Sequence, residues 1–319
     1  MSQRDTPIVA LGSPAARVSF YSRLLEKSQG PLALLFETIA EVEKFAKITG
    51  ATQYTSKQSR RERLSLWRQC LSEKPVKIVG TRQAVFLPKL KLLAIDEPDR
   101  YGFRNDQLPH YHTLNVAIWR FHHEVIKLVI GSPALDCQLS LIVKSGARLI
   151  GRGPVSPIKI ISAQKLSPLP GDLVVLPSHS DYGSFPASKE ISVTQVDYLS
   201  GRWRRAWLIG FDQMLALPDY AQQEKIYLKI QRLRWISAEV LVSTANTDQV
   251  IFKPNFIDLE LKERKRLGFP PFGWLVQAHL PNGTSVVHKL PLTINLRRAV
   301  AGFHFPRKTR IMVDPERLI

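Results

Sequence analysis

Short apolar runs and longer amphipathic stretches alternate along the first half of the chain. The runs lie at 7–11, 32–36, 77–79, 92–95 and 127–130. The amphipathic stretches, expected to be helices, lie at 16–28, 39–48, 59–71 and 115–123. Strands of unbroken apolar residues are buried on both faces. Interleaved with helices, they predict a mostly parallel sheet covered on both sides. Ligands of such sheets bind beyond the carboxyl ends of the strands. The turns after Leu11, Phe36, Val79, Ile95 and Ile130 are therefore the places to look for function.

The pattern breaks between 151 and 186. Prolines at 154, 157, 168, 170, 177 and 186 interrupt any long element, and a crossing segment with short strands such as 173–176 is expected. Regular structure should resume with a strand at 206–209, a helix at 219–233 and a strand at 239–243. A basic helix at 255–267 is stopped by Gly268 and Pro270-Pro271. Pro281-Asn282-Gly283 between 274–280 and 284–289 signals a hairpin. No internal repeat or low-complexity tract is visible.

The chain has 319 residues, which predicts roughly two domains. Its 44% apolar content excludes wholesale disorder. Lys and Arg number 45 against 27 Asp and Glu, a net charge of +18. That excess calls for a polyanionic partner, nucleic acid before a membrane surface. Two cysteines, Cys70 and Cys137, are too few for a disulfide framework or a cysteine zinc site, so a reducing, cytoplasmic setting is expected. His110, His112, His122 and His123 cluster in sequence, but no cysteine or carboxylate is spaced to complete a tetrahedral site, and no metal is expected. The charged N-terminus does not read as a signal peptide, and no run is long enough to span a membrane.

Four loops carry candidate chemistry. They are Gly80-Thr81-Arg82-Gln83-Ala84-Val85-Phe86-Leu87-Pro88, Asp96-Glu97-Pro98-Asp99, Gly131-Ser132-Pro133-Ala134, and Glu263-Arg264-Lys265-Arg266 leading into Phe269-Pro270-Pro271-Phe272. In order and spacing they resemble the primosomal replication-restart helicase family. That family reads Gly-Thr-Arg-Ser-Ala-Leu-Phe-x-Pro, Asp-Glu-Glu-His, Gly-Ser-Ala-Thr-Pro-Ser and Tyr-Pro-Pro-Phe. Arg60 to Trp67, Leu217-Pro218-Asp219-Tyr220 with Glu224, and the final 313–318 agree as well. The resemblance runs from about Pro7 to the C-terminus and does not cover the family's N-terminal DNA-binding modules. It implies an α/β fold of two RecA-like lobes, at 1–150 and 151–254, the second eroded and without the family's zinc module. A small α+β unit follows at 255–319.

The departures from the family bear on activity. A phosphate loop needs glycines that free backbone N–H groups, a lysine for the phosphates and a hydroxyl for Mg²⁺. Here Gly12-Ser13-Pro14-Ala15-Ala16-Arg17-Val18 has a proline that deletes a donor, Arg17 near the lysine position and Val18 in place of the hydroxyl. Gly12, Ser13 and Arg17 are thus a degenerate nucleotide site. Asp96 and Glu97 match the family's metal ligand and water-activating base. Without a phosphate loop they are expected to form a solvated acidic pair. Gln231 to Ser237 lacks the glycines and arginines of the family's second-lobe motif, and of a further motif only Val193-Thr194-Gln195 survives. No cofactor is expected; ATP with Mg²⁺ would be required only by the alternative of a divergent ATP-dependent helicase.

Nucleic-acid chemistry survives these losses. Arginines interleaved with aromatics suit single strands, because rings stack on bases while guanidinium groups hold phosphates. The candidates are Arg82, Arg100, Tyr101, Phe103 and Arg104 in the first half, and Arg202, Trp203, Arg204 and Arg205 in the second. The dense basic run Arg264, Lys265 and Arg266 is a third candidate. The expected function is recognition of single-stranded or forked DNA in replication restart, without ATPase or helicase activity. A second alternative is a protein-only scaffold for replication factors.

Overall fold

The structure, a computed structural model, describes residues 6–105, 111–161, 168–177, 192–194, 201–291, 306 and 309–313. They form two compact units. The first comprises residues up to 134 together with 141–154, and the second comprises 135–140 and everything from 155 on.

In the first unit the chain runs β1 (Ile8–Leu11), α1 (Pro14–Lys27), β2 (Leu32–Leu35), α2 (Ile39–Thr49), β3 (Thr52–Tyr54), α3 (Arg60–Leu71), β4 (Lys77–Gly80) and β5 (Leu92–Asp96). A small ribbon, β6 (Arg104–Asn105) with β7 (Tyr111–His112), leads into α4 (Thr113–His123) and β8 (Lys127–Ser132). Next come α5 (Cys137–Lys144), whose start packs with the second unit, and β9 (Arg148–Gly151). The seven-stranded sheet is wholly parallel, in the order β3-β4-β2-β5-β8-β1-β9. β8 lies between β1 and β5, so the turns after β1, β5 and β8 meet at one edge. This is a RecA-like lobe. Local chemistry sets the helix starts. Pro14 occupies the first turn of α1 behind Ser13, whose hydroxyl accepts from Ala16 N (3.2 Å). Thr38–Glu41 and Ser59–Glu62 form capping boxes at α2 and α3. Leu34, Val79, Ala94 and Val129 pack under Tyr21, Leu25, Phe36 and Phe45 to form the core on one face.

The second unit holds β10 (Ile158–Ile161), β11 (Leu173–Val175), β12 (Ser192–Thr194), β13 (Trp203–Leu208), α6 (Phe211–Leu215), α7 (Gln222–Ile236), β14 (Ser237–Ser243) and α8 (Phe256–Leu267). Its five strands are again parallel, in the order β10-β14-β13-β11-β12. Phe211, Ile226, Ile230, Val240 and Phe256 fill its core. β15 (Gly273–His279) pairs antiparallel with β16 (Ser285–Pro291) across the Pro281-Asn282-Gly283 turn and with β17 (Arg310–Val313) on its other side. Gly283 takes φ 84°, which that turn needs. No helix among the described residues is long and apolar enough to cross a membrane.

Candidate functional site

The carboxyl edge of the first sheet brings together the turn after β1 and the acidic end of β5, as the motif order requires. Arg17, one turn into α1, is 2% exposed and points into this edge. Its Nε donates to Asp96 Oδ1 (2.6 Å) and its Nη1 to Gly12 O (2.6 Å). Nη2 reaches Asp96 Oδ2 (3.3 Å) and Glu97 Oε1. Tyr21, one turn further along α1, donates its hydroxyl to Asp96 Oδ1 (2.6 Å). The Tyr21 oxygen passes where a side chain at 131 would start, 1.6 Å from an ideal Cβ, so Gly131 is required. Glu97 sits at φ 50°, a left-handed conformation costly for a side-chain-bearing residue, and donates its N–H to Gly131 O (2.8 Å).

Asp96 and Glu97 are therefore buried and ion-paired, which corrects the expectation of a solvated pair. A carboxylate cannot be buried without a partner, and Arg17 supplies it. Burial opposes the Arg17 charge, but Asp96 and Glu97 outweigh it and hold the guanidinium above its usual pKa. Burial, with Asp96 adding to it, pushes the Tyr21 hydroxyl well above the ordinary phenol range. Around this cluster several backbone donors that a phosphate cradle would use are absent or already bonded. Pro14 has none, Ala16 N bonds Ser13 Oγ, and Arg17 N bonds Ser13 O (3.0 Å). These residues do not fit a magnesium nucleotide, because the carboxylates that would face the metal already hold a fixed cation.

The loop after β5 was expected to carry DNA contacts. Arg100 is instead locked inward, its Nη1 on Glu41 Oε1 (2.7 Å) and its Nη2 on Glu37 Oε2. Glu37 also accepts from Gly102 N (2.8 Å), which pins the loop to the start of α2. Phe103 is 0% exposed and belongs to the core. Neither residue is free to hold a strand, and both assignments are corrected. Arg82 is half-buried, its Nη1 on Gly102 O (3.1 Å) and its Nη2 at 3.5 Å from Asn105 Oδ1. Tyr101 remains open at 57% exposure, with half-buried Arg104 nearby in sequence on β6. His112 pairs across from Arg104 in the β6–β7 ribbon. Burial first, then the Arg104 charge, push its pKa down to about 3, and a hydrogen bond to the Pro98 backbone opposes them. His110 lies outside the described residues. No group of three or more metal-type side chains is present among the described residues.

In the second unit, Asp172 is fully buried and gathers Arg205 Nη2 (2.6 Å), Arg204 Nε (3.3 Å), Trp207 Nε1 (2.9 Å) and Leu169 N (2.9 Å). Burial pushes its carboxyl up, but these donors outweigh it and the pKa falls. Trp203 packs against the second core, which removes it as a stacking platform. Arg202 and Arg204 stay exposed. On α8, Arg264 is buried, with Nε on Glu260 Oε1 (2.8 Å), Nη2 on Glu224 Oε2 (2.9 Å) and its guanidinium over the Tyr220 ring (5.4 Å). Its place on a basic outer face is also corrected. Lys265 and Arg266 are exposed, Arg266 beside Glu263. The partners Glu37, Glu41, Asp172 and Tyr21 carried no motif. For Glu41 a signal did exist in the Thr38–Glu41 capping box, which fixes that carboxylate at a turn facing the loop after β5.

Fold and site together define a protein with RecA-like parallel-sheet architecture in which Arg17 fills the space between the turn after β1 and the acidic end of β5. No family model matches the chain. Over 122 residues it is 30% identical to replication restart protein PriA of Helicobacter pylori, covering 33% of this chain and 20% of that protein. It is 39% identical over 88 residues to PriA of Synechocystis, covering 26% and 11%. The Bacillus subtilis protein is 33% identical over 79 residues, covering 24% and 10%. The chain spans a fifth or less of the length of these relatives. The kinship with replication restart proteins drawn from the motifs thus stands over that stretch. Among solved structures, the DUF1998 helicase MrfA bound to DNA and AMPPNP aligns with 80% of this chain and 48% of its own (TM-score 0.46, 12% identity). Saccharomyces cerevisiae Dbp5 bound to RNA and ADP BeF3 aligns over 83% of each chain (TM-score 0.46, 9% identity).

Proposed function

We propose that this chain is a DNA-binding protein of replication restart or fork recognition that works without hydrolysing ATP. The observation that carries this reading is the Arg17 guanidinium bonded to both Asp96 and Glu97. Phosphoryl transfer needs those carboxylates for the metal and water, and a cation aimed at the phosphates. Here the cation and the carboxylates satisfy each other. The net charge of +18, and kinship with PriA over part of the chain, support DNA as the partner. The candidate contacts that reach the surface are Tyr101 and half-buried Arg104 in the first unit, and Arg202, Arg204, Lys265 and Arg266 in the second.

The test is a fluorescence-anisotropy titration of single-stranded and forked DNA over several salt concentrations, run beside an ATPase assay. Replacing Arg204 or Lys265 by Ala should lower affinity and reduce the salt slope by about 0.7 per charge on single strands, since fewer counterions are released. Tyr101→Ala should weaken single-strand binding at unchanged slope, because stacking releases no counterions. ATP turnover should stay at background with and without DNA. DNA-stimulated turnover that disappears in Glu97→Gln would overturn the reading, as would an absence of DNA binding at low salt.

A further inference from the structure

The opposite, amino edge of the first sheet carries a groove of about 950 Å³ that the DNA reading does not use. Phe86 and Pro88 from the β4–β5 connection, Val116 and Trp119 from α4, and Val125 ahead of β8 line it. Trp119 is 57% exposed and Val125 94%, so large apolar side chains stand open to water where burial would be favourable. Among the described residues only three non-glycine residues take a positive φ, and two of them, Glu73 (53°) and Lys89 (53°), line this groove. Glu73 follows the C-cap of α3 and donates its N–H to Cys70 O (3.0 Å), so its left-handed turn ends that helix, while Lys89 lies in the β4–β5 connection.

The charge pattern says what fits. Glu73 is bonded to Lys91 (2.7 Å) and Glu124 to Arg120 (2.6 Å), which leaves the exposed Lys89 charge facing the groove. Stacked bases are the poorer occupant. Trp119 already stacks on His123 (4.4 Å, 17°), and Phe86 meets Tyr111 edge-on (5.0 Å, 80°), so the rings form no row of open faces. A second copy of a +18 chain would be repelled. We infer that this groove docks a short segment of another protein whose apolar side chains seat against Trp119 and Val125 and whose flanking carboxylates meet Lys89.

The experiment is fluorescence anisotropy on the full chain, with a labelled peptide in which Leu and Phe alternate with Asp and Glu. A peptide with Lys in place of the acids, and an oligothymidylate, serve as comparisons. The acidic peptide should bind saturably, and both Trp119→Ala and Lys89→Glu should weaken it by roughly tenfold, as for central interface residues. Val125→Glu, at a site too exposed to affect folding, should weaken it as well. Oligothymidylate should neither displace the peptide nor lose affinity in Trp119→Ala. The inference fails if the peptide binds equally to all three variants, which would mean general attraction to a basic protein. It fails too if Trp119→Ala weakens oligothymidylate instead, or if Val125→Glu abolishes a dimer. The peptide measurements do not depend on how the DNA site behaves.

Discussion

The two edges of the first sheet have opposite character. At the carboxyl edge charged and polar groups pair with one another: Arg17 with Asp96 and Glu97, Tyr21 with Asp96, Arg100 with Glu37 and Glu41. At the amino edge Trp119 and Val125 lie open. A carboxylate removed from water without a partner is costly, and at the carboxyl edge Arg17 supplies the cation that Asp96 and Glu97 need. An apolar groove carries no such demand. It can stay exposed at modest cost, so an internal partner at one edge and an open groove at the other are what these two chemistries should leave behind.

The sharpest way to break the comparison is to remove the internal cation. Arg17→Ala leaves two buried carboxylates and a phenol facing each other, and should cost about 3–5 kcal/mol of stability. Urea denaturation followed by far-UV circular dichroism would measure it. Adding Asp96→Asn and Glu97→Gln to Arg17→Ala should recover more than half of the loss, because the uncompensated charge is gone. If Arg17→Ala alone is silent, the cluster is solvated and the contrast between the edges disappears.

A smaller effect is expected from acid. The ribbon beside the carboxyl edge holds His112 neutral, with a folded pKa pushed down to about 3 by burial and by Arg104. The unfolded chain takes up a proton near the ordinary value of about 6.5, so it binds more protons than the folded one at any pH between the two. The contribution is thus complete above about 6.5 and is lost as pH falls toward 3. The loss should reach about 2 kcal/mol by about pH 5, at 1.36 kcal/mol per unit. His112→Gln should flatten the curve of unfolding midpoint against pH over this range. An unchanged slope would show that His112 titrates normally and that the ribbon is open to water.

Much of this fold could be read from the hydrophobic pattern. The runs at 32–36 and 92–95 became β2 and β5, the Asn-Gly turn became the β15–β16 hairpin, and the helix stopped at Gly268. Strand β3, with the sequence Thr52-Gln53-Tyr54, was missed because it has no apolar run to announce it, and β10, Ile158-Lys159-Ile160-Ile161, was not singled out among the short strands expected between the prolines. The elements of the site were also legible. Arg17, Asp96 and Glu97 stood in motif positions. What could not be read was direction. Arg100 and Arg204 look alike in sequence, yet one pairs with Glu37 and Glu41 in the interior and the other stays exposed beside Asp172. That difference rests on carboxylates contributed by other elements, which a local text does not contain.

The smallest expected effect lies at the amino edge and sharpens the contrast most cleanly. Trp119 stacks on His123 at the surface of α4, and Val125 is almost wholly exposed. Truncating Trp119 to Ala removes little area that folding buries, and alanine is the better helix former, so the two terms oppose each other. Val125→Glu exchanges a solvent-facing methyl pair for a charge near Lys127, in a segment outside α4 and β8. Each variant should shift unfolding free energy by less than about 0.5 kcal/mol in the same urea experiment. A residue as large as tryptophan whose loss leaves the fold untouched is not retained by packing. The groove would then be a surface kept for something outside the chain. If Trp119→Ala instead costs several kcal/mol, the indole is part of the core, and the amino edge is as internally committed as the carboxyl one.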